Sequence, residues 1–496
     1  MKQVIRGGRV VDAPRRRADL ADMVIDGDTI AAIVPPDTAV ADARAIDARD
    51  RMLMPGLVNC HTHGHGNLSK ALGDRWTLEL MHNALAAMTG RRTAEDKYLA
   101  IKIGAVEMIR KGCTAAYDLP FEFPGPTAEG IEAAGRAYTD VGMRAVVAPM
   151  VWEKTLYEVV PGLYDALSPA LKAEADKARL PPSGASLAAL ESALKNWPFD
   201  RARVMPAIAP TIPSYCSEAL LIRLRDLARD YDIGFHTHLS ESKVQAMASQ
   251  AIHGRSLTRY LAELGILGPR FVAAHAVWID DADIKLLADA GASVAHNPGC
   301  NARLGSGIAP VREMLSAGIA IAIGTDSCTC SDNLNMFEAM RMSSLMFRLR
   351  ELDQDAWPPA EQVLGFATTG GAHALGWGDA IGALAPGKKA DIVFLDLAKP
   401  HYVPVNDALN QIVYCEDGTG VDSVMIGGRM VLDRGRMTTV DEAAMKRDAE
   451  RAVERLLGAA NSEMRERAAR LAPAVAGHCL DLMREAYPIN RLAIGR

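Results

Sequence analysis

Short apolar runs recur through the middle of the chain, and amphipathic segments separate them. Most of the runs end in a polar residue, a proline or a glycine, which is typical of parallel strands that are buried on both faces. Eight runs of this kind are present: GLVNCHTH (56–63), TAAYD (114–118), RAVVAPMV (144–151), RVMPAIAP (203–210), IGFHTHL (233–239), FVAAHAV (271–277), ASVAHNP (292–298) and IAIAIGTD (319–326).

The segments between the runs have helical periodicity. Examples are AEDKYLAIKIGAVEMIRKG and SEALLIRLRDLARDY, in which apolar residues recur three and four positions apart. A strand–helix alternation repeated eight times predicts an α/β fold, a (β/α)8 or TIM barrel, over residues 56–377. Residues 151–203 interrupt the alternation, and we interpret them as a lid or loop near the mouth of the barrel.

Both flanks of the barrel region carry β-like pieces separated by turns. Residues 1–55 contain VIRGGRVVDA and DMVIDGDTIAAIV, and residues 378–440 contain IGALAPGKKADIVFLDL and VDSVMIGGRMVLDRGR. The two flanks pair most simply into one small sheet domain, which we predict to be a β-sandwich. Residues 441–496 are charged and helical, so we expect a solvated amphipathic extension, with packing against a second subunit as the alternative.

Composition and charge exclude several function classes. The net charge of -6 and the aromatic content of 5% argue against nucleic acid or an anionic membrane as the main partner. No segment approaches the roughly 20 unbroken apolar residues of a membrane span. The start of the chain, MKQVIRGGRVVDAPRRR, lacks the long apolar region of an export signal. We therefore expect a cytoplasmic protein whose eight scattered cysteines are reduced thiols.

Histidines are rare in this chain, but they concentrate at the ends of the predicted strands. A single histidine on an apolar strand is more often a core residue than a ligand. In a barrel, however, the carboxyl ends of all strands converge at one mouth, and here five strands end in this way. The residues concerned are His61 and His63 on the first strand, His236 and His238 on the fifth, His275 on the sixth, His296 on the seventh and Asp326 on the eighth.

These motifs resemble those of the amidohydrolase superfamily, in the branch of cytosine, guanine and adenosine-homocysteine deaminases and triazine hydrolases. The resemblance extends from about residue 1 to residue 440, and the order, spacing and strand placement of the motifs all agree with it. The motifs are PGLVNCHTH, HLSE (238–241), HAV (275–277), HNPGCNARLGSGIAPV (296–311), GTDS (324–327) and ATTGGAHALGWGDAIGALAPGKKADIVFLD (367–396).

The resemblance implies a metal ion held by His61, His63, His238 and Asp326, with His275 as a further ligand or as a group that polarises the substrate. Imidazoles and one carboxylate suit Zn(II) or Fe(II) and leave a position for water, whose pKa the ion lowers. Two-metal relatives carry a carboxylated lysine or a glutamate on the fourth strand, and RVMPAIAP has neither. We therefore expect one divalent transition metal per chain, zinc in the first place and iron as the alternative.

The resemblance also implies catalytic roles for three residues. Glu241 would donate a proton to a ring nitrogen of the substrate, while a solvent-facing loop carboxylate is the alternative for this residue. Asp326 would accept the proton of the attacking water, and His275 would stabilise the developing tetrahedral centre. The candidates for substrate contacts are Trp76, His82, Asp118, His296 and Asn301.

We predict a metal-dependent hydrolase that activates water to deaminate a small nitrogen heterocycle, converting C–NH2 to C=O with release of ammonia. The alternative is hydrolysis of another C–N or C–Cl bond, with an alkylamine, chloride or the amine of a cyclic amide or urea as leaving group. A third hypothesis, a barrel reused for assembly, would be expected to have lost ligands, and none of the expected positions is missing. The expected partners are the heterocyclic substrate and further copies of the chain in a homo-oligomer.

Overall fold

The computed structural model describes residues 2–331, 333–458 and 461–492. Within these residues the strands form two nine-stranded sheets, one parallel and one mostly antiparallel. The strands are β1 (Lys2–Asp12), β2 (Arg17–Asp26), β3 (Thr29–Val34), β4 (Ala43–Asp47), β5 (Arg51–Pro55), β6 (Leu57–Thr62), β7 (Cys113–Asp118), β8 (Arg144–Val147), β9 (Met150–Val151), β10 (Val204–Pro210), β11 (Gly234–Leu239), β12 (Phe271–His275), β13 (Ser293–His296), β14 (Ala320–Ile323), β15 (Ile392–Asp396), β16 (Val421–Ile426), β17 (Arg429–Asp433) and β18 (Arg436–Met437).

Helices fill most of the connections between these strands. None of the helices among the described residues is both long and apolar enough to cross a lipid bilayer. The α-helices are α1 (Leu78–Thr89), α2 (Ala94–Arg110), α3 (Ala128–Val141), α4 (Leu156–Val159), α5 (Leu163–Ala166), α6 (Pro169–Asp176), α7 (Gly184–Lys195), α8 (Glu218–Asp230), α9 (Lys243–His253), α10 (Leu257–Glu263), α11 (Asp281–Asp289), α12 (Pro298–Arg303), α13 (Val311–Ser316), α14 (Met336–Arg350), α15 (Ala360–Gly365), α16 (Gly371–Ala374), α17 (Ala408–Asn410), α18 (Glu442–Leu457) and α19 (Ser462–Arg484). Single 3₁₀ turns cover Gly64–Leu68, Pro213–Tyr215, Gln354–Ala356 and Pro400–Tyr402, and π-turns cover Phe366–Gly370 and Gln411–Cys415.

The parallel sheet is the predicted (β/α)8 barrel. Its strands pair in the order β6, β7, β8, β10, β11, β12, β13 and β14, and the short β9 adds to β10. At the seam between the last strand and the first, the backbone N–H of Asp326 donates to the carbonyl oxygen of His61 at 2.9 Å. A parallel bridge between Thr62 and Asp326 lies at the same place. The eight apolar runs therefore correspond to the eight barrel strands, and the predicted fold class is confirmed.

Burial on both faces explains why the barrel strands have unbroken apolar sequences. Every residue of β6, β7, β8, β12 and β13 is buried. The helices outside the barrel bury only one face. In α3, for example, the Thr127 side chain accepts from Gly130 N–H at the start, and Gly142 ends the helix at φ 85°. Its inner face consists of Ile131, Ala134, Tyr138 and Val141.

The mostly antiparallel sheet combines both flanks of the barrel region, as predicted. Its strands follow the order β18, β17, β16, β15, β5, β1, β2 and β3, with β4 beside β1. The two flanks join where β15 runs antiparallel to β5, with Ile392 opposite Pro55. The sheet has a hydrophobic core of its own, which includes Ile5, Met23, Ile25, Leu53, Phe394 and Met425.

A buried ion pair connects this sheet to the barrel. Arg144, the first residue of β8, donates from Nε to Asp391 Oδ2 at 2.8 Å and from Nη2 to Oδ1 at 3.2 Å. Both side chains are at most 5% exposed. Asp391 also accepts from Gly427 N–H, and its carbonyl oxygen accepts from Gly56 N–H just before β6. The pair therefore fixes the start of the first barrel strand relative to the flanking sheet.

The C-terminal helices cover one side of the barrel mouth. Helix α19 packs along α1, and its apolar face contacts the insert between β9 and β10. The residues that form this contact are Leu471, Val475, Cys479 and Leu482 of α19 and Leu156, Leu163 and Leu167 of the insert. The extension is helical, as expected, and its apolar face is covered by elements of the same chain.

Candidate active site

Three histidines from two barrel strands meet at the carboxyl ends of the strands. His61 lies near the end of β6 and His63 directly follows the strand, so both side chains point into the mouth, and His238 reaches the same point from β11. One ligand atom of each lies within 4.8 Å of the other two, and all three residues are buried. The Nε2 atoms of His63 and His238 are 3.1 Å apart.

Backbone carbonyl groups determine which ring nitrogens carry protons. His63 Nδ1 lies 2.7 Å from the carbonyl oxygen of Leu119, and His238 Nδ1 contacts the carbonyl oxygen of Thr211. A carbonyl oxygen only accepts, so each Nδ1 donates and each Nε2 presents a lone pair. Two lone pairs that face each other repel unless a cation lies between them. This pair of atoms therefore fits a metal ion.

His61 contributes a third nitrogen to the same point. Its Nδ1 lies 3.1 Å from His236 Nε2, so His236 supports the ring from behind. Its Nε2 is buried, has no hydrogen-bond partner among the described residues, and lies 3.8 Å from Asp326 Oδ1. A buried polar atom without a partner is unfavourable. A metal ion at this point would satisfy it.

Asp326 lies between the three histidines and His275. Its Oδ1 is 3.3 Å from His63 Nε2 and accepts from Ser327 N–H at 2.6 Å, while Oδ2 is 3.4 Å from His275 Nε2. Burial by itself would raise the pKa of Asp326, but the surrounding histidines lower it below its usual value. Asp326 has φ 63° and His275 has φ 68°, a left-handed backbone that non-glycine residues rarely adopt.

Glu241 is the second buried carboxyl group at the mouth. Its Oε2 lies 3.5 Å from His275 Nε2, and its backbone N–H donates to Gln245 Oε1 at 2.9 Å. Burial, then the charges of Asp326 and Glu79, raise the pKa of Glu241 well above its usual value. The environment therefore shifts the pKa values of the two carboxyl groups in opposite directions, down for Asp326 and up for Glu241.

Two asparagines orient His275. Its Nδ1 lies 2.9 Å from Asn301 Oδ1, and Asn297 Nδ2 lies 3.4 Å from its Nε2. With Nδ1 donating to the amide oxygen of Asn301, Nε2 presents a lone pair toward Asp326 and Glu241. Asn301 is one of the predicted substrate contacts, and its amide oxygen contacts the His275 ring, while its Nδ2 has no hydrogen-bond partner among the described residues.

The other residues that were predicted to contact substrate differ in their surroundings. Asp118 accepts from Gly64 N–H at 2.7 Å and from the Tyr138 hydroxyl at 3.0 Å, so both of its oxygens are engaged within the protein. His296 ends β13, and its Nδ1 is buried without a described partner. His82, on α1, has Nδ1 3.1 Å from the Tyr215 hydroxyl.

Trp76 lies in the loop before α1. It lines a mainly apolar cavity of about 370 Å³ between α1 and the C-terminal helices. Other residues that line this cavity are Leu72, Leu80, Met88, Val453, Leu456 and Ala472.

Three buried residues of the site were not singled out from the sequence. Cys300 lies within the quoted HNPGCNARLGSGIAPV motif, and its Sγ is 3.7 Å from Glu241 Oε1. Glu79, at the start of α1, accepts a hydrogen bond from the hydroxyl of Ser242 at 2.7 Å. Ser242 directly follows Glu241 in the chain. The one sequence signal that could have identified these residues is their place in the chain. Cys300 follows the strand-end His296 by four residues, and Ser242 directly follows Glu241, the predicted proton donor.

Comparisons with known proteins agree with this geometry. The family model described as "Amidohydrolase family" matches residues 52–431. The 5-methylthioadenosine/S-adenosylhomocysteine deaminase of Syntrophobacter fumaroxidans is 34% identical over 435 residues, which are 87% of this chain and 92% of that protein.

Solved structures with a similar fold include a deaminase and a chlorohydrolase. An adenosine deaminase from Xanthomonas campestris with bound zinc has a TM-score of 0.81 at 27% identity, covering 92% of this chain and 98% of that one. An atrazine chlorohydrolase from Arthrobacter aurescens, complexed with zinc, has a TM-score of 0.80 at 27% identity, covering 91% of this chain and 99% of that one.

Proposed function

The chain belongs to the amidohydrolase family, and from this premise we propose that it deaminates an adenosine-type nucleoside by hydrolysis at the carbon that bears the amino group. In the overall reaction one water and one C–NH2 group give a C=O group and ammonia. The observation that carries the proposal is the pairing of a histidine–aspartate cluster with the buried carboxyl group of Glu241, 3.5 Å from His275. The relative that is 34% identical is named a deaminase of adenosine derivatives.

We propose one zinc ion per chain, held by His61, His63, His238 and Asp326. The support is the set of lone pairs that converge without a partner, together with the zinc in both structural neighbours. Three imidazoles and a carboxylate are ligands that Zn(II) accepts, and iron is the alternative. When bound, the ion supplies a Lewis acid that lowers the pKa of the attacking water.

The chain's own residues move the protons. Asp326, whose pKa lies below its usual value, accepts the proton of the attacking water. His275 Nε2, 3.4 Å from Asp326 Oδ2, shares that proton and directs it toward the oxygen of the developing tetrahedral centre. The proton then passes to the amino group, which leaves as ammonia, and the hydroxyl of the tetrahedral centre returns a proton to Glu241 as the C=O bond forms. Glu241 donates its proton to the adjacent ring nitrogen, which an aromatic amidine needs before its amino group can leave.

The test is an assay of ammonia release with adenosine, 5'-deoxyadenosine and 5'-methylthioadenosine. We expect Glu241→Gln to retain bound metal and to lose about 100-fold or more in kcat, because the proton donor is removed. His238→Ala should lose both metal and turnover. Glu129→Gln, an exposed residue on α3, is the matched control and should remain fully active. Full activity of the Glu241→Gln variant would refute the assigned role.

A second candidate function is hydrolytic dechlorination of a triazine. The observation in its favour is the TM-score of 0.80 to the atrazine chlorohydrolase. The same proton donor serves a triazine ring nitrogen, so the assay also includes a chlorotriazine with chloride detection. Chloride release without ammonia release would favour this second function over the first.

The assembly and location of the chain are further parts of the proposal. We propose a homo-oligomer, a dimer or larger, which sedimentation of the purified protein tests. We also propose a cytoplasmic location, which cell fractionation tests. A monomer at working concentration, or recovery with the membranes, would contradict these two points.

A further inference from the structure

We propose that Glu241, His275, Cys300 and Asp326 form a second cation site, here called the thiolate site, which takes a soft divalent ion such as Zn²⁺ or Cd²⁺ when metal is in excess. Each residue offers one ligand atom, and these four atoms lie within 4.8 Å of one another. All four residues are buried. The first cation needs none of Glu241, His275 and Cys300, so this site is additional to it.

The distances in the thiolate site match those of a tetrahedral ion. With bond lengths of about 2.0–2.3 Å, neighbouring N and O ligands lie roughly 3.4 Å apart, and S and O ligands roughly 3.5 Å apart. His275 Nε2 is 3.4 Å from Asp326 Oδ2 and 3.5 Å from Glu241 Oε2. Cys300 Sγ is 3.7 Å from Oε1, the other oxygen of the Glu241 carboxyl group, so a rotation of this group brings one oxygen between the sulfur and the imidazole. Little movement is needed to enclose an ion.

The donor atoms of the thiolate site are already oriented. Donation from His275 Nδ1 to Asn301 Oδ1 leaves Nε2 as the coordinating nitrogen. Asp326 directs Oδ1 toward His63 and Oδ2 toward His275, so its carboxylate can bridge two ions. Metal entry displaces the protons of the Cys300 thiol and the Glu241 carboxyl to solvent.

The thiol determines the class of metal. Thiolate ligands select soft ions such as Zn²⁺ and Cd²⁺ over Mg²⁺ and Ca²⁺, which prefer oxygen ligands. An ion in the thiolate site would occupy Glu241 and His275, which the proposed deamination needs. On that proposed function, excess zinc inhibits in competition with the substrate.

The test is a Cd²⁺ titration of the full-length protein that already holds one equivalent of metal. All samples carry Cys415→Ser, because the exposed thiol of Cys415 would bind Cd²⁺ by itself. The readouts are the bound equivalents after equilibrium dialysis and the ultraviolet charge-transfer band of a thiolate–Cd²⁺ bond. We expect a second equivalent to bind together with the appearance of the band, and Mg²⁺ to give neither.

Variants assign the band to its residue. Cys300→Ser should abolish the band and weaken binding of the second equivalent of Cd²⁺ by at least about tenfold. Even substitutions of residues that only support a metal ligand reduce metal affinity by that factor. Cys113→Ser is the matched control, because Cys113 is a buried thiol at the start of β7, outside the thiolate site, and it should keep the band. Glu241→Gln keeps the thiol but should also weaken the second equivalent.

Two outcomes would overturn the thiolate site: no second equivalent in the parent protein, or a band that survives Cys300→Ser. The titration does not depend on turnover, so a protein that shows the band but no deamination would refute only the proposed function. In an active protein, excess Zn²⁺ should raise the KM for nucleoside without lowering kcat. Cys300→Ser should shift that inhibition to at least about tenfold higher Zn²⁺.

Discussion

Two kinds of hydrogen-bond acceptor determine which ring nitrogen of each site histidine carries the proton. His63 and His238 donate to backbone carbonyl groups, which side-chain substitution leaves in place. His275 instead donates to the side chain of Asn301. Asn301 is therefore the position where the orientation of a site imidazole can be tested without removing the imidazole.

We predict that Asn301→Ala lowers kcat by about 10- to 100-fold, with little change in bound metal, because His275 loses the acceptor that fixes its tautomer. Asn301→Asp retains an acceptor oxygen and should recover most of the activity. Steady-state kinetics and metal analysis of both variants provide the measurement. An Asn301→Ala variant with unchanged kcat would show that His275 does not depend on this contact.

The sequence identified residues whose position follows from strand geometry. His61 and His63 point to the same side because alternate residues of a strand do so, and Asp326 joins them because barrel strands converge at one end. Cys300 and Glu79 were missed because their contacts with Glu241 and Ser242 connect different loops. Such contacts depend on tertiary packing, which no local pattern records.

At the scale of elements, the C-terminal tail connects several loops of the barrel mouth. Arg491 donates from Nε to the Val277 carbonyl oxygen at 3.1 Å and from Nη2 to that of Ile279 at 2.6 Å. Its own carbonyl oxygen accepts from Ile308 N–H at 2.8 Å. Lys243, two residues after Glu241, donates to the Met483 carbonyl oxygen at 2.8 Å. The loops that carry Glu241 and His275 are thus held by the tail.

We predict that Arg491→Ala lowers the free energy of unfolding by about 1–3 kcal/mol, because buried carbonyl groups lose a charged donor. We also expect a lower kcat, since the loop after His275 is no longer held. Urea unfolding and kinetics provide the measurement. Arg447→Ala, an exposed position on α18, is the control and should change stability by less than about 0.5 kcal/mol. Equal effects of the two substitutions would contradict a bracing role for the tail.

Secondary-structure elements could be predicted where their burial produces a recognisable pattern of apolar residues in the sequence. All eight barrel strands appeared as apolar runs because both of their faces are covered. The insert between β9 and β10 was recognised only as a long interruption. Its helices α4 to α6 are short, and they pack against the apolar face of α19, which lies more than 280 residues later in the chain. The periodicity of a segment does not show which distant helix it packs against.

At the scale of the whole molecule, the buried ion pair between Arg144 and Asp391 couples the barrel to the flanking sheet. We predict that Asp391→Ala destabilises the protein by about 3–5 kcal/mol, because it leaves the Arg144 guanidinium buried without its partner. The double variant Arg144→Leu, Asp391→Ala should be less destabilised than the single one. Denaturant unfolding measures both. A single variant that is no less stable than the double one would contradict this account.

Metal removal should also affect the whole molecule. A ligand that binds only the folded state at 100 times its Kd adds about 2.7 kcal/mol to stability, so we predict that a chelator lowers Tm. Calorimetry with and without chelator gives the measurement. His238→Ala, which lacks one ligand, should have a Tm that the chelator no longer changes. An unchanged Tm in the parent protein would argue against a cation bound by the folded state.

The seam between β14 and β6 has a consequence for synthesis of the chain. His61 leaves the ribosome early, whereas Asp326, which bonds to it, follows 265 residues later. A nascent chain of 238 to 325 residues contains the three imidazoles without the carboxylate that accompanies them. The proposed set of four ligands is therefore complete only after the last barrel strand has been synthesised.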